Sequence, residues 1–180
     1  DLTTTYDICV VGIGIAGSYL LYLLSMSGLK ICGVDAGNIV EDRSLKRKMM
    51  PIQKKAKYAA LTKGRSFRLG GNSHNWGGLL IPYTKLDLPS KKSPYYNTWT
   101  EIIRVCNKYG KQVYDNLLLG AAKKISKNPD SRRDSFFKKN VYDIIDAISI
   151  PFSKRNIFLN LKNSFKKIDI FCNAICYDLE

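Results

Sequence analysis

The residues with the clearest chemistry are Gly12, Gly14 and Gly17, which stand as G-x-G-x-x-G between a short apolar run, Ile8 to Val11, and a longer apolar stretch. Gly12 permits a tight turn, Gly14 lets the main chain approach a pyrophosphate, and Gly17 lets a helix pack closely on a strand. The N–H groups at the start of that helix would face an anion, and the helix dipole adds about 0.3–1 kcal/mol at an exposed site. Asp35 follows a second apolar run, Ile31 to Val34, where a carboxylate can accept hydrogen bonds from a ribose 2′-OH. A charged hydrogen bond of that kind contributes roughly 1.5–3 kcal/mol. An acid at this place disfavours a 2′-phosphate and so NADP. The motif leaves NAD and FAD open, and the plain alternative is a glycine-rich turn without a ligand.

A second stretch, Arg68 to Gly78, reads RLGGNSHNWGG and holds the single histidine of the chain, His74, beside Trp76. A broad planar ring needs a wall without side chains, and successive glycines present N–H groups that can bond to ring nitrogens and oxygens. The competing expectation is that Gly70, Gly71, Gly77 and Gly78 form two tight turns with Trp76 as a core anchor.

Val34–Gly37 (VDAG) together with RLGGNSHNWGG resembles the glucose-methanol-choline (GMC) oxidoreductase family, in particular its sugar-oxidising branch. The resemblance covers residues 6 to 80 and extends more weakly to Trp99 and to FCNAICYDL near the end. It implies FAD as cofactor, with Gly12, Gly14 and Gly17 on the diphosphate and Asp35 on the adenosine ribose, where the family more often has Glu. Gly70, Gly71, Asn72 and Ser73 would run beside the flavin and pyrophosphate, and Asn75, Trp76 and Gly77 would continue past the isoalloxazine. Ala16, Ala36 and Arg68 complete the implied contact set. Some related sugar oxidases attach flavin through a histidine directly before the tryptophan. Asn75 holds that place here and His74 lies one residue earlier, so a noncovalent flavin is expected.

The resemblance also implies a small-molecule alcohol or sugar as substrate, hydride transfer from its carbon to flavin N5, and a separate electron acceptor. The family's proton-abstracting His lies near the C-terminus, and no histidine follows residue 74. No catalytic residue is therefore assigned, and the chain is expected to be the N-terminal portion of a longer enzyme, or a truncated copy of one, poorly stable and inactive alone. Two other functions compete: an FAD-dependent oxidase or monooxygenase using NAD(P)H, and a noncatalytic nucleotide- or nucleic-acid-binding protein.

Positioning these residues calls for a strand at Ile8 to Val11, a helix from Ala16 to Met26 stopped by Gly28, and a strand at Ile31 to Val34. The expected fold is α/β: a Rossmann-like FAD-binding fold, βαβ with a parallel sheet, incomplete and with a helical insertion. Residues 1–80 would be the N-terminal part of the FAD-binding domain, 81–165 a connection and helical segment, and 166–180 a strand returning to the first domain. A short helix is expected around Lys54 to Leu61. IPYTKLDLPSKKSPYYN, with three prolines, reads as an extended connection. Thr98 and Glu101 resemble a capping box ahead of a helix with the face Ile102, Ile103, Cys106, Tyr109 and Val113. A second helical face, Phe137, Val141, Ile144, Ile145 and Ile148, stops at Pro151. Ile168, Ile170, Cys172, Ala174 and Cys176 alternate as one side of a strand, which would present an open edge.

Composition bounds the rest. Hydrophobic residues make up 45% and charged ones 24% of 180 residues, close to the globular average. Lys and Arg number 29 against 15 Asp and Glu, a net charge of +14, and Arg43 to Arg68 contains no acid. That run suits phosphates or acidic surfaces, but no nucleic-acid motif accompanies it, so a solvated basic face is expected and no nucleic-acid partner. Five scattered cysteines do not make a disulfide framework and point to reduced thiols. No C-x-x-C spacing exists and one histidine suits no metal site. Ile8 to Leu29 carries no charge, yet the glycine spacing argues against a membrane span. A cytoplasmic compartment is favoured.

Overall fold

The structure is a computed structural model that describes residues 4–49, 64–118, 123–124, 148–165 and 167–178. The chain divides into two compact units, one formed by residues 1–77 with 153–180 and the other by residues 78–152. The helices expected around residues 54–61 and 137–147 lie outside the described residues.

The first unit is α/β. Strand β1 (Ile8–Val11), helix α1 (Ile15–Leu24) and strand β2 (Ile31–Val34) form a βαβ unit. β1 and β2 pair in parallel, Ile8 opposite Ile31 through Val11 opposite Val34. Both strands have the bounds that their apolar runs predict. Helix α1 stops before Met26 because the Ser25 and Ser27 hydroxyls donate to the carbonyls of Tyr22 and Leu24, which takes up the acceptors of its last turn. On the α1 side of the sheet, Gly33 leaves room for Ile13, Leu21 and Ile170. A methyl group there would stand 2.9–3.1 Å from their terminal carbons.

A short helix α2 (Arg43–Lys48) carries the start of the basic run; the Asp42 side chain accepts a hydrogen bond from the Ser44 N–H and caps it. Lys46 pairs with Glu41 at 3.4 Å.

In the second unit, β3 (Leu79–Leu80) begins a small antiparallel sheet, and helix α3 (Tyr96–Leu118) is the longest element among the described residues. The stretch expected to be extended contains a 3-10 turn, Lys85–Asp87, capped reciprocally by Thr84 and Asp87. The box expected at Thr98 and Glu101 does not form. Ser93 turns the chain earlier, accepting from the Tyr95 N–H, so Thr98 lies inside α3, and Glu101 pairs with Arg104 instead. The buried face of α3 is rotated from the expected one. Ile103 and Leu117 are buried, while Ile102 and Tyr109 are exposed. Ile148, expected in a helix, lies in a strand: β5 (Ile148–Ser149) pairs with β3 and with β4 (Lys123–Lys124).

The chain re-enters the first unit with α4 (Ile157–Leu161), which the sequence reading did not anticipate. Ile157, Phe158 and Leu161 are buried, and α4 packs against α1. Strand β6 (Ile168–Phe171) then adds to β2 in parallel, giving the sheet order β1-β2-β6. The expected longer strand stops at Phe171. Asn173 adopts a left-handed φ of 54°, and the N–H groups of Asn173 and Ala174 donate to Gly37 O and Asp35 O instead of extending a ladder. No helix of the described residues is long and apolar enough to cross a membrane.

Candidate functional site

At the carboxyl end of the parallel sheet the main chain of β1 crosses to α1 through Gly12–Gly14. The Gly12 N–H donates to Val34 O at 2.8 Å, which ties the loop to the end of β2. Gly17, in the first turn of α1, lies so close to this loop that a Cβ there would stand 1.9 Å from Gly12 O. Only a residue without a side chain lets helix and loop meet. Ile13 is fully buried beneath the loop, as is Ser18.

Asp35 acts as the clasp between the two crossings. Its Oδ2 accepts the Ile13 N–H at 2.5 Å and its Oδ1 accepts the Gly37 N–H at 2.7 Å. Its own N–H donates to Phe171 O at 2.9 Å, so the end of β6 holds the same turn. Each carboxylate oxygen has a second lone pair, so a ribose hydroxyl can still donate to it. The nearby Cys172 thiol is pushed up, first by burial and then by the Asp35 charge. Ala36 is half-buried between Asp35 and Gly37, and Ala16 is exposed on α1.

The second glycine stretch lies against the first. Leu69 N–H donates to Asn38 O at 3.0 Å and Gly70 N–H to Ile13 O at 2.8 Å. A Cβ on Gly71 would stand 3.1 Å from Gly14 Cα. Two motifs far apart in sequence thus form one loop pair. Arg68 opens the stretch, its Nε donating to Ser66 Oγ at 3.1 Å.

After Gly70 the chain does not lie extended. Gly71–His74 winds into a 3-10 turn, entered through Gly70 at φ 93°. Ser73 is fully buried, its hydroxyl donating to Gly70 O at 2.6 Å and accepting the Ile157 N–H at 3.2 Å. His74 Nε2 lies 2.8 Å from Leu69 O and 2.8 Å from Asn156 Nδ2. The Trp76 Nε1–H donates to Arg155 O at 2.8 Å. Ser73, His74 and Trp76 therefore grip residues 155–157, while Asn72, Asn75 and Gly77 face solvent.

Asn156 escaped the sequence reading. Its Oδ1 accepts the Leu159 N–H and caps α4, and its amide nitrogen meets His74. The available signal was an asparagine immediately before the apolar cluster Ile157, Phe158 and Leu161, which is an N-cap pattern.

The start of α1 suits an anion. Gly14 is its N-cap, with no side-chain cap and no acid in the first turn. The first N–H groups of a helix have no partner within it, and nothing lies within 4 Å of where a Cβ would stand on Gly12 or Gly14. A diphosphate fits this uncapped terminus, and the Asp35 carboxylate beside it suits the attached ribose.

No known family profile matches the sequence, and no curated protein matches it. Among solved structures, the chain is similar to L-amino acid deaminase from Proteus vulgaris, with 14% identity and a TM-score of 0.41. That likeness covers 98% of this chain and 41% of the other. It is also similar to glycine oxidase from Bacillus cereus ATCC 14579, with 16% identity and a TM-score of 0.42, over 98% of this chain and 50% of the other. L-amino acid deaminase from Proteus myxofaciens in complex with anthranilate follows at 11% identity and a TM-score of 0.36, over 93% and 38%. The chain spans half or less of these proteins. At this level of likeness the chemistry of the site has to be read from its own geometry.

Proposed function

We propose that this chain is the adenylate-gripping portion of an FAD-dependent oxidoreductase that acts on CH–OH groups of a sugar or polyol. The observation that supports it is the meeting of Gly12–Gly17, Asp35 and Gly70–Trp76 in one loop pair beside an uncapped helix start.

In this reading the N–H groups at the start of α1 hold the diphosphate and Asp35 accepts from the adenosine ribose, while its bonds to Ile13 and Gly37 keep the loop in shape. Ala16, Ala36 and Arg68 lie close around these groups. Gly70, Gly71 and Ser73 form the turn that positions the second loop; Asn72, Asn75 and Gly77 are the members that face outward and would meet the ring system. Trp76 anchors the turn through Arg155 O. His74 is engaged with Leu69 O and Asn156, which supports a noncovalent flavin. Bound flavin would supply the two-electron acceptor for substrate oxidation. The likeness to GMC enzymes supports the alcohol substrate and a separate electron acceptor.

Titrating FAD with the 180-residue chain tests the reading through quenching of flavin fluorescence. FAD is expected to bind, ADP to displace it, and NADP to compete poorly. Material that binds neither FAD nor ADP would overturn the reading. Sugars, polyols and amino acids offered to a longer polypeptide containing this chain then decide which bond is oxidised. Rapid turnover of a sugar alcohol by the isolated chain would contradict the expectation that the proton acceptor lies elsewhere.

A further inference from the structure

We propose that Cys9 and Cys32 form a dithiol modification site, which a hydroperoxide oxidises to a disulfide across the parallel sheet. The two residues are register partners on β1 and β2, so their side chains leave the sheet on the same face. Neighbouring strands lie about 4.7–4.9 Å apart, within the roughly 4.4–6.8 Å between Cα atoms that a disulfide spans. Both cysteines are free thiols, and the Cys9 side chain is close enough to Cys32 to help raise its thiol. Among the described residues no other two cysteines are register partners.

The surroundings divide the work. Cys9 is exposed and Cys32 is buried. Burial, followed by the neighbouring Cys9 side chain, pushes the Cys32 thiol up to about 11, which keeps it protonated and makes it a poor first nucleophile. Cys9 meets the oxidant first. Its thiolate attacks an oxygen of the hydroperoxide; the S–O bond forms as the O–O bond breaks, and an alcohol or water leaves. The Cys32 sulfur then attacks the Cys9 sulfur. The S–S bond forms, the S–O bond breaks, and the displaced hydroxide leaves as water with the Cys32 proton. The two thiols lose two electrons and the hydroperoxide gains them. Asp169, the register partner of Cys32 on its other side, places a carboxylate beside the thiol that can relay this proton.

The site lies just before the two crossings of the glycine loop. Joining the sulfurs brings the Cβ atoms to about 3.5–4.5 Å, which draws β1 and β2 together just ahead of the Gly12–Val34 bond and the Asp35 clasp.

The test treats the fully reduced 180-residue chain with hydrogen peroxide, blocks remaining thiols after unfolding, and maps the peptides by mass spectrometry. A Cys9–Cys32 crosslink that a dithiol reductant reverses is expected. Cys32→Ser should stop at a Cys9 sulfenic acid that a 1,3-dione traps, and Cys9→Ser should leave Cys32 unmodified at the same dose. The proposal is overturned if both thiols survive, if Cys9 pairs with another cysteine, or if Cys9 reaches the sulfinic acid while Cys32 is still a thiol. Modification of Cys32 in Cys9→Ser would overturn the assigned order. No nucleotide enters this measurement, so its outcome is independent of the FAD reading.

Discussion

In the first unit a methyl group added at Gly17, Gly37 or Gly70 would stand 2.5 Å or less from main chain or from a hydrogen-bonded oxygen; at Gly110, within α3 of the second unit, it would meet only the Tyr114 ring at 3.6 Å. At its glycine loops the first unit packs backbone against backbone, above a core of buried apolar side chains. Among the described residues of the second unit, α3 buries Ile103 and Leu117, and Gly110 borders a groove of about 390 Å³ lined also by Ile81, Tyr83, Cys106 and Tyr114. Main-chain contact leaves no slack for a change of residue, whereas a side-chain surface yields by small rotations. A loop that must grip a ligand through its N–H groups calls for the first kind of construction.

Gly17→Ala attacks the contrast most directly. The methyl would collide with Gly12 O, and helix and loop would have to separate, costing about 3 kcal/mol. The fall in urea midpoint should be accompanied by loss of FAD quenching; unchanged stability would remove the basis for treating the loop as rigid. Next in size is Asp35→Asn. One acceptor replaces two, so either Ile13 or Gly37 loses the acceptor of its N–H, at about 1–3 kcal/mol, read from equilibrium unfolding. Gly110→Ala should do the reverse of Gly17→Ala. At ordinary contact distance in a helix interior it stabilises by about 0.5–1 kcal/mol, seen as a raised melting temperature.

The smallest effects concern pH, and their signs differ between the units. Tyr6 donates to Asp169 at 2.7 Å, and that bond is the main cause that raises its hydroxyl from 10.0 to about 12. Its contribution is complete below pH 10 and is lost as pH rises through 12. In the second unit Arg104 holds the Glu101 carboxyl below the usual range, so that contribution is present above the usual range and is lost as pH falls through the lowered value. Tyr6→Phe should weaken the alkaline dependence and leave the acid one unchanged, and Glu101→Gln the reverse. Unfolding curves across pH distinguish them.

What the sequence displayed follows from the same contrast. β1 and β2 were legible to the residue because both are short apolar runs bounded by glycine or acid, although only β2 is largely buried and β1 exposes Cys9 and Val11. The pairing of the Gly12 loop with Gly70–Gly71 was not, since its bonds link main-chain atoms whose side chains carry no signal. Asn156 was hidden for a related reason: its partner, His74, is remote in sequence, and α4 is too short to show a period. In α3 the apolar residues were read correctly as a helix, but Ile102 and Ile103 are adjacent, and apolar character alone did not tell which one turns inward. Tertiary packing selected Ile103.

The sheet order β1-β2-β6 has a consequence for how the chain acquires its shape. As the polypeptide is made, β2 has only β1 beside it until residues 168–171 emerge, and the Asp35 N–H lacks the Phe171 carbonyl for that whole interval. A long excursion must be synthesised before β6 can dock beside β2. Loop closure over such a distance is slow and leaves a pairing edge open to other chains. On the ribosome, the β2 edge of the nascent chain is therefore exposed to misassociation until β6 arrives.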